Sequence, residues 1–236
     1  MKSWPPRDLR DKLGEPQGLR LIFVVGWLLV LLLLLAVVFC SPAPAFAQTA
    51  ERVISPPPLQ RIALTREAQR VWGPHAPVAR FAAQIHAESS WRPDVCSRVG
   101  ACGLGQFMPE TAAWLAALYP EQLQPMAVED WRWSVRALVI YNRRLYNAER
   151  GWATESDRWA ATTVSYVGGG GWLRRERRAA EAAGADPDRW WAHVESHCVR
   201  AAWACRDSRH YPRRILCELE PAYIRAGWPG RALECP

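Results

Sequence analysis

Between residues 88 and 112 the chain reads ESSWRPDVCSRVGACGLGQFMPETA. One carboxylate, Glu88, stands at the head of this stretch. Behind it come Ser97, glycines at 100, 103 and 105, and Gln106. A lone carboxylate can act as a general acid if it keeps its proton near neutrality. The residues upstream favour that. Val78, Phe81, Ile85 and Glu88 recur at helical spacing, Pro77 suits a helix start and Pro93 forbids long continuation. Glu88 therefore belongs near a helix C-terminus, on the apolar side. Desolvation and the negative end of the helix dipole both raise its pKa. The plain alternative is a solvated Glu at a helix end, the commoner fate of such a residue.

The glycines let the following loop bend sharply and let a ligand approach its backbone. Gln106 supplies donors and an acceptor, and Pro109 fits the first turn of a new helix. E-S-S-W-x-P followed by S-x-x-G-A-x-G-L-x-Q-F-M-P-x-T-A resembles the signature of the SLT-type lytic transglycosylases, family 23 glycoside hydrolases with a goose-lysozyme-like fold. The resemblance implies that Glu88 is the single catalytic acid/base. It implies that Ser97, Gly103, Leu104 and Gln106 shape the substrate cleft, Gly103 and Leu104 through their backbone. Gly105 stands where the family often has Met. Further on, Tyr166-Val167-Gly168-Gly169-Gly170 is similar to the family's A-Y-N-x-G. Tyr166 is thereby a substrate-site residue, and Val167 replaces the Asn. Core packing is the ordinary alternative for a lone Tyr. The glycine run lacks the G-K-[ST] ending of a phosphate loop and reads as a helix terminator near the cleft.

The elements that must position these residues read as helical. The pattern predicts a short helix over 65–72, one over 111–118 stopped by Pro120, a loop over 120–129, and a long helix from Asp130 to Glu149. The family resemblance, which includes a comparable helix with an Asn, implies that Asn142 on that long helix hydrogen-bonds inside the domain. Ser156 is expected to cap the next helix. Further helices are expected over 173–183, from Asp186-Pro187 to Cys198, and from Pro212 onward. No run of alternating β-branched residues occurs. The fold class is all-α, a single lysozyme-like domain with disulfides and at most a small irregular β element in the cleft.

Leu21 to Phe39 is a 19-residue run without charge, long enough to span a bilayer, and Ala45-Phe46-Ala47 forms a small-x-small cleavage site. Residues 1–47 are therefore read as a signal peptide or signal anchor, 48–60 as a proline-rich leader, and 61–236 as the lysozyme-like domain with a helical extension from about 174. Export to the periplasm or the outer face of the inner membrane follows, with membrane association through 21–39. Of the seven cysteines, Cys40 lies in the signal segment. Six remain, an even number that in an exported chain points to disulfides. Cys96–Cys102 is the expected brace of the loop after Glu88. Cys198, Cys205, Cys217 and Cys235 are expected to pair among themselves. His86-Ala87-Glu88 matches the H-x-E of zinc deaminases, but no C-x-x-C accompanies it, so neither metal nor cofactor is expected.

The net charge is +7; 5 of the 30 cationic and 3 of the 23 acidic residues lie before residue 48, and every cation after it is Arg. Such a surface suits acidic wall polymers. Nucleic acid is set aside, because export and the signature argue against it. Trp91 is placed either by the cleft or as a core brace of the Glu88 helix. The function implied is peptidoglycan lytic transglycosylation, cleaving the MurNAc-GlcNAc β-1,4 bond to 1,6-anhydro-MurNAc ends. The alternatives are a hydrolytic muramidase, for which Asp94 or Glu110 is the second carboxylate, or a non-catalytic wall-binding scaffold of an envelope complex.

Overall fold

The computed structural model describes residues 56–236. The predicted signal or anchor, and most of the proline-rich leader, lie outside the described residues. Among the described residues no helix is long and apolar enough to cross a membrane.

The fold is organised around one helix, α2 (Val78–Ser89), which follows α1 (Pro58–Trp72). Ten of the twelve residues of α2 are buried. A helix covered on all sides is a central helix, and its buried polar groups need partners. Three such groups, Arg80, Gln84 and His86, find them far away in sequence. Arg80 Nε and Nη2 donate to Glu220 at 2.9 and 2.8 Å. Gln84 accepts from Asn142 Nδ2 at 2.8 Å. His86 Nδ1 lies 3.1 Å from the Tyr223 hydroxyl. The C-terminal extension is thus part of the wall around the Glu88 helix.

The remaining elements are α3 (Pro109–Leu118), a single turn α4 (Pro120–Leu123), α5 (Trp131–Ala148), α6 (Glu155–Gly168), α7 (Gly170–Ala182), a 3₁₀ turn (Val194–Ser196), α8 (Ala202–Pro212), a π-helical segment (Arg213–Leu219) and α9 (Glu220–Arg225). Helices α1 and α6 meet α2 through aromatic rings, and Tyr146 of α5 packs on the same α1 and α6 rings. Trp72 stacks on Trp159 with centroids 5.2 Å apart, and Phe81 of α2 approaches both. The only β pairing among the described residues is two isolated bridges, Cys96 with Cys102 and Cys102 with Phe107. This is the small irregular β element anticipated for the cleft.

Several boundaries differ from the sequence reading. Helix α1 starts at Pro58, inside the expected leader, because a proline is tolerated in a helix's first turn where its missing N–H is not needed. Residues 120–123 form a helical turn within the expected loop. The cap of α6 is Thr154, whose Oγ1 accepts from Asp157 N, and not Ser156. Asp157 also leads the expected 186–198 helix away from helical geometry: its Oδ1 accepts from the backbone N–H of Trp190 and Trp191. Only the 3₁₀ turn survives there. Pro212 closes a helix and does not open one. Its absent donor interrupts the α ladder, and the chain continues in the wider turns of a π segment. All six cysteines among the described residues pair: Cys96–Cys102, Cys198–Cys205 and Cys217–Cys235.

Candidate active site

Glu88 sits in the last turn of α2, one residue before its end, and Ser90 follows in the left-handed region at φ 52°. That reversal turns the chain into the glycine loop. The loop folds back on itself: Phe107 N donates to Cys102 O at 2.9 Å, and Gly103 N to Val95 O at 3.1 Å. The Cys96–Cys102 disulfide staples the same turn.

Gly103 is required by space and by backbone. Its φ is +78°, and a Cβ there would lie 2.1 Å from Val128 O. Gly105 is equally closed, since a Cβ would stand 2.6 Å from the Phe107 ring and 2.9 Å from the Tyr166 hydroxyl. The departure at 105 and the retained tyrosine are therefore linked: Tyr166 donates to Gly105 O at 2.7 Å. Gln106 spends its amide N–H groups on Val95 O and Gly103 O, both at 3.0 Å. Ser97 Oγ accepts from Ala101 N at 3.0 Å. Both residues brace the loop from within, and neither directs these bonds at Glu88. Leu104 is fully buried, so its side chain belongs to the core.

Trp91 is a core brace. It is 6% exposed, and its Nε1 donates to the Tyr223 hydroxyl at 2.6 Å. Asp94 and Glu110 are both exposed, and neither is hydrogen-bonded to Glu88.

Glu88 receives a hydrogen bond from a residue that the sequence reading did not single out. The Tyr211 hydroxyl, at the end of α8, donates to Glu88 Oε1. Behind it the polarity runs one way. Gln84 Nε2 donates to the Tyr211 oxygen at 3.3 Å, and Asn142 Nδ2 donates to Gln84 Oε1 at 2.8 Å. Asn142 is thus the buried structural group expected, and it also stands at the root of this relay. Gln84 precedes Glu88 by four residues, one helical turn, so its place on that side of α2 was readable. Tyr211 carried no such local signal.

Burial pushes the Glu88 carboxyl up to about 7, against the opposing pull of the Tyr211 hydrogen bond and the Arg214 charge. The hydroxyls of Tyr166 and Tyr211 are held well above their ordinary range, first by burial and then by the negative charge of Glu88. Both stay protonated and remain donors. The neighbouring His86 is held below its usual range by burial and by Arg214. It is occupied with Tyr223, and no cluster of three or more metal-ligating side chains occurs among the described residues. What the arrangement can do is give and retake one proton near neutral pH from a fixed position.

Residues 68–188, just over half of the chain, match the transglycosylase SLT domain. The chain belongs to this family of lysozyme-like, glycan-cleaving proteins, which act on peptidoglycan in the cell envelope. No curated protein matches the chain. The match stops short of Tyr211, Arg214 and Tyr223, so these supports of the Glu88 helix lie in the extension beyond it.

Proposed function

We propose that the protein is a peptidoglycan lytic transglycosylase in which Glu88 is the sole acid/base. Glu88 in its acid form protonates the glycosidic oxygen as the bond to C1 of MurNAc breaks, and the N-acetyl oxygen of the same sugar supports the charge developing at C1. The Glu88 carboxylate then takes the proton of the C6 hydroxyl as O6 bonds to C1. The ring closes to 1,6-anhydro-MurNAc, GlcNAc leaves with a free 4-hydroxyl, and no water is consumed. Tyr166 and the loop it holds through Gly105 form one wall of the cleft, with Ser97, Gly103, Leu104 and Gln106 setting the shape of that loop.

The observation that carries this reading is the solitary, desolvated carboxylate. An inverting hydrolase needs a second carboxylate to activate water, and Asp94 and Glu110 stand in solvent. The test is digestion of purified peptidoglycan by the fragment from residue 48, beside Glu88→Gln, with product masses. Anhydro ends that vanish in the variant are expected. Reducing ends, heavier by one water, mean a muramidase. Unaltered biological activity of Glu88→Gln means a wall-binding scaffold.

The disulfides mark an exported protein. Periplasmic residence, or attachment to the outer face of the inner membrane through 21–39, belongs to the same proposal. Peptidoglycan strands are the partner, and no cofactor takes part.

A further inference from the structure

Four large apolar side chains are exposed in two short stretches: Val167 and Trp172 around the glycine run, and Val199 and Trp203 beside the Cys198–Cys205 disulfide. Trp203 is 64% exposed. The stretches touch. A Cβ on Gly168 would lie 2.1 Å from Arg200 Nη1, so the glycine is what lets the guanidinium settle against the backbone there.

Arg200 is a fixed group. Its side chain is 6% exposed, and Nε and Nη2 donate to the buried Glu176 at 2.7 and 2.8 Å. The disulfide ties down its flanks. Its third nitrogen, Nη1, has no hydrogen-bond partner among the described residues, although it is not among the sealed-off polar atoms. Neither the Trp172 nor the Trp203 indole N–H has a partner among these residues. Glu176 lies one turn after Trp172 on α7, so the bidentate pair brings Trp172 to the same side as Arg200. Arg175 stacks on Trp172 at 4.6 Å and adds a second cation.

The patch begins beside the candidate site in sequence, because Val167 directly follows Tyr166, whose hydroxyl donates to Gly105 O. Indoles with free N–H groups on the two stretches that meet at a half-spent guanidinium suit a ligand with flat apolar sugar faces, hydroxyls and a carboxylate. They suit a purely apolar partner poorly.

We propose that Trp172, Arg200 and Trp203 form an outlying glycan subsite that grips the strand beyond the cleaved bond, the indoles on its sugar faces and Arg200 Nη1 on a carboxylate. The proposal rests on peptidoglycan being the substrate. The carboxylate has two sources: the stem peptide of an intact strand, or the lactyl group of MurNAc where an amidase has removed the peptide and freed it.

Binding is measured in the Glu88→Gln background, where no bond breaks, so that loss of catalysis and loss of the subsite are read separately. Trp172→Ala and Trp203→Ala are each expected to weaken binding to intact peptidoglycan strands about tenfold, with thermal midpoints unchanged. In the Glu88 parent the same substitutions raise KM for long strands, with no such rise for a tetrasaccharide. Amidase-stripped strands and chitin oligosaccharides complete the series. Stripped strands bound more tightly than intact strands and chitin assign Arg200 to the lactyl carboxylate, and intact strands bound more tightly than both assign it to the peptide. Chitin bound as tightly as both intact and stripped strands overturns the carboxylate contact. Unaltered strand binding by both Trp variants overturns the subsite. If the parent makes no cleavage products yet the Trp variants lose strand binding, the catalytic reading fails and the subsite stands.

Discussion

Tyr211 holds Glu88 from 123 positions further along the chain, its hydroxyl donating to Oε1. The donor chain behind it, Gln84 and then Asn142, fixes which way that hydroxyl points. Loss of the hydroxyl removes a positioning contact and also one of the two influences that hold the Glu88 pKa down. Tyr211→Phe is therefore expected to lower kcat about tenfold, by the worth of a hydrogen bond to a charged group. The basic limb of the pH–rate profile should move to higher pH, and KM should stay near the parent's. A purely structural role for Tyr211 would leave the limb in place.

With the Glu88 carboxyl near 7, the acid form is depleted as pH rises through that value. Turnover should fall along that limb, and Glu88→Gln should lower kcat by about 10²–10⁴-fold at pH values below it. Stability follows the same titration. The folded-state pKa lies above the unfolded value of 4.5, so between the two the native state binds the extra proton and stability declines as pH rises. Glu88→Gln removes that decline. Its thermal midpoint should exceed the parent's at pH 8, and the gap should close below pH 4.5. An equal gap at both pH values contradicts the burial of the carboxyl.

Gly103→Ala should destabilise strongly. The added methyl meets a backbone oxygen, and the residue must hold φ at +78°. The two effects together are expected to cost about 2 kcal/mol or more. Gly100→Ala, also at positive φ but with open space around it, should cost less. Denaturant midpoints of the two variants give the comparison.

The disulfides separate stability from function. By loop-closure entropy the Cys217–Cys235 bridge, spanning 18 positions, is worth about 3 kcal/mol, and the Cys96–Cys102 bridge, spanning 6, about 2 kcal/mol. Paired Ser substitutions should lower the thermal midpoint more at 217/235. Activity at 25 °C should fall more at 96/102, where the bridge shapes the turn beside Glu88. The opposite ordering of activity would mean that the glycine loop holds its form without the staple.

Breaking the buried Arg80–Glu220 pair by Arg80→Met leaves a carboxylate unpaired in the core, at about 3–5 kcal/mol. Because this pair joins α2 to the extension, the variant should also lose activity when still folded at low temperature. Arg80→Met with Glu220→Leu should recover much of the stability in a denaturant titration.

The sequence by itself determined the helical class, the position of the acid, the glycine loop and its disulfide. Each of these is local: helical spacing from Val78 to Glu88, a proline on either side, two cysteines six apart. Asn142 was legible as a buried polar group for the same reason, standing on the apolar side of a long periodic helix. The tertiary structure alone decided what surrounds the acid. Tyr211, Arg214 and Tyr223 share no spacing with Glu88. Their approach depends on α8, the π segment and α9 folding back over a helix that is buried on nearly every side and whose Arg80, Gln84 and His86 need partners. Trp91 was ambiguous for a related reason, since an indole beside a candidate acid serves a cleft or a core equally well until its N–H finds a partner, here Tyr223.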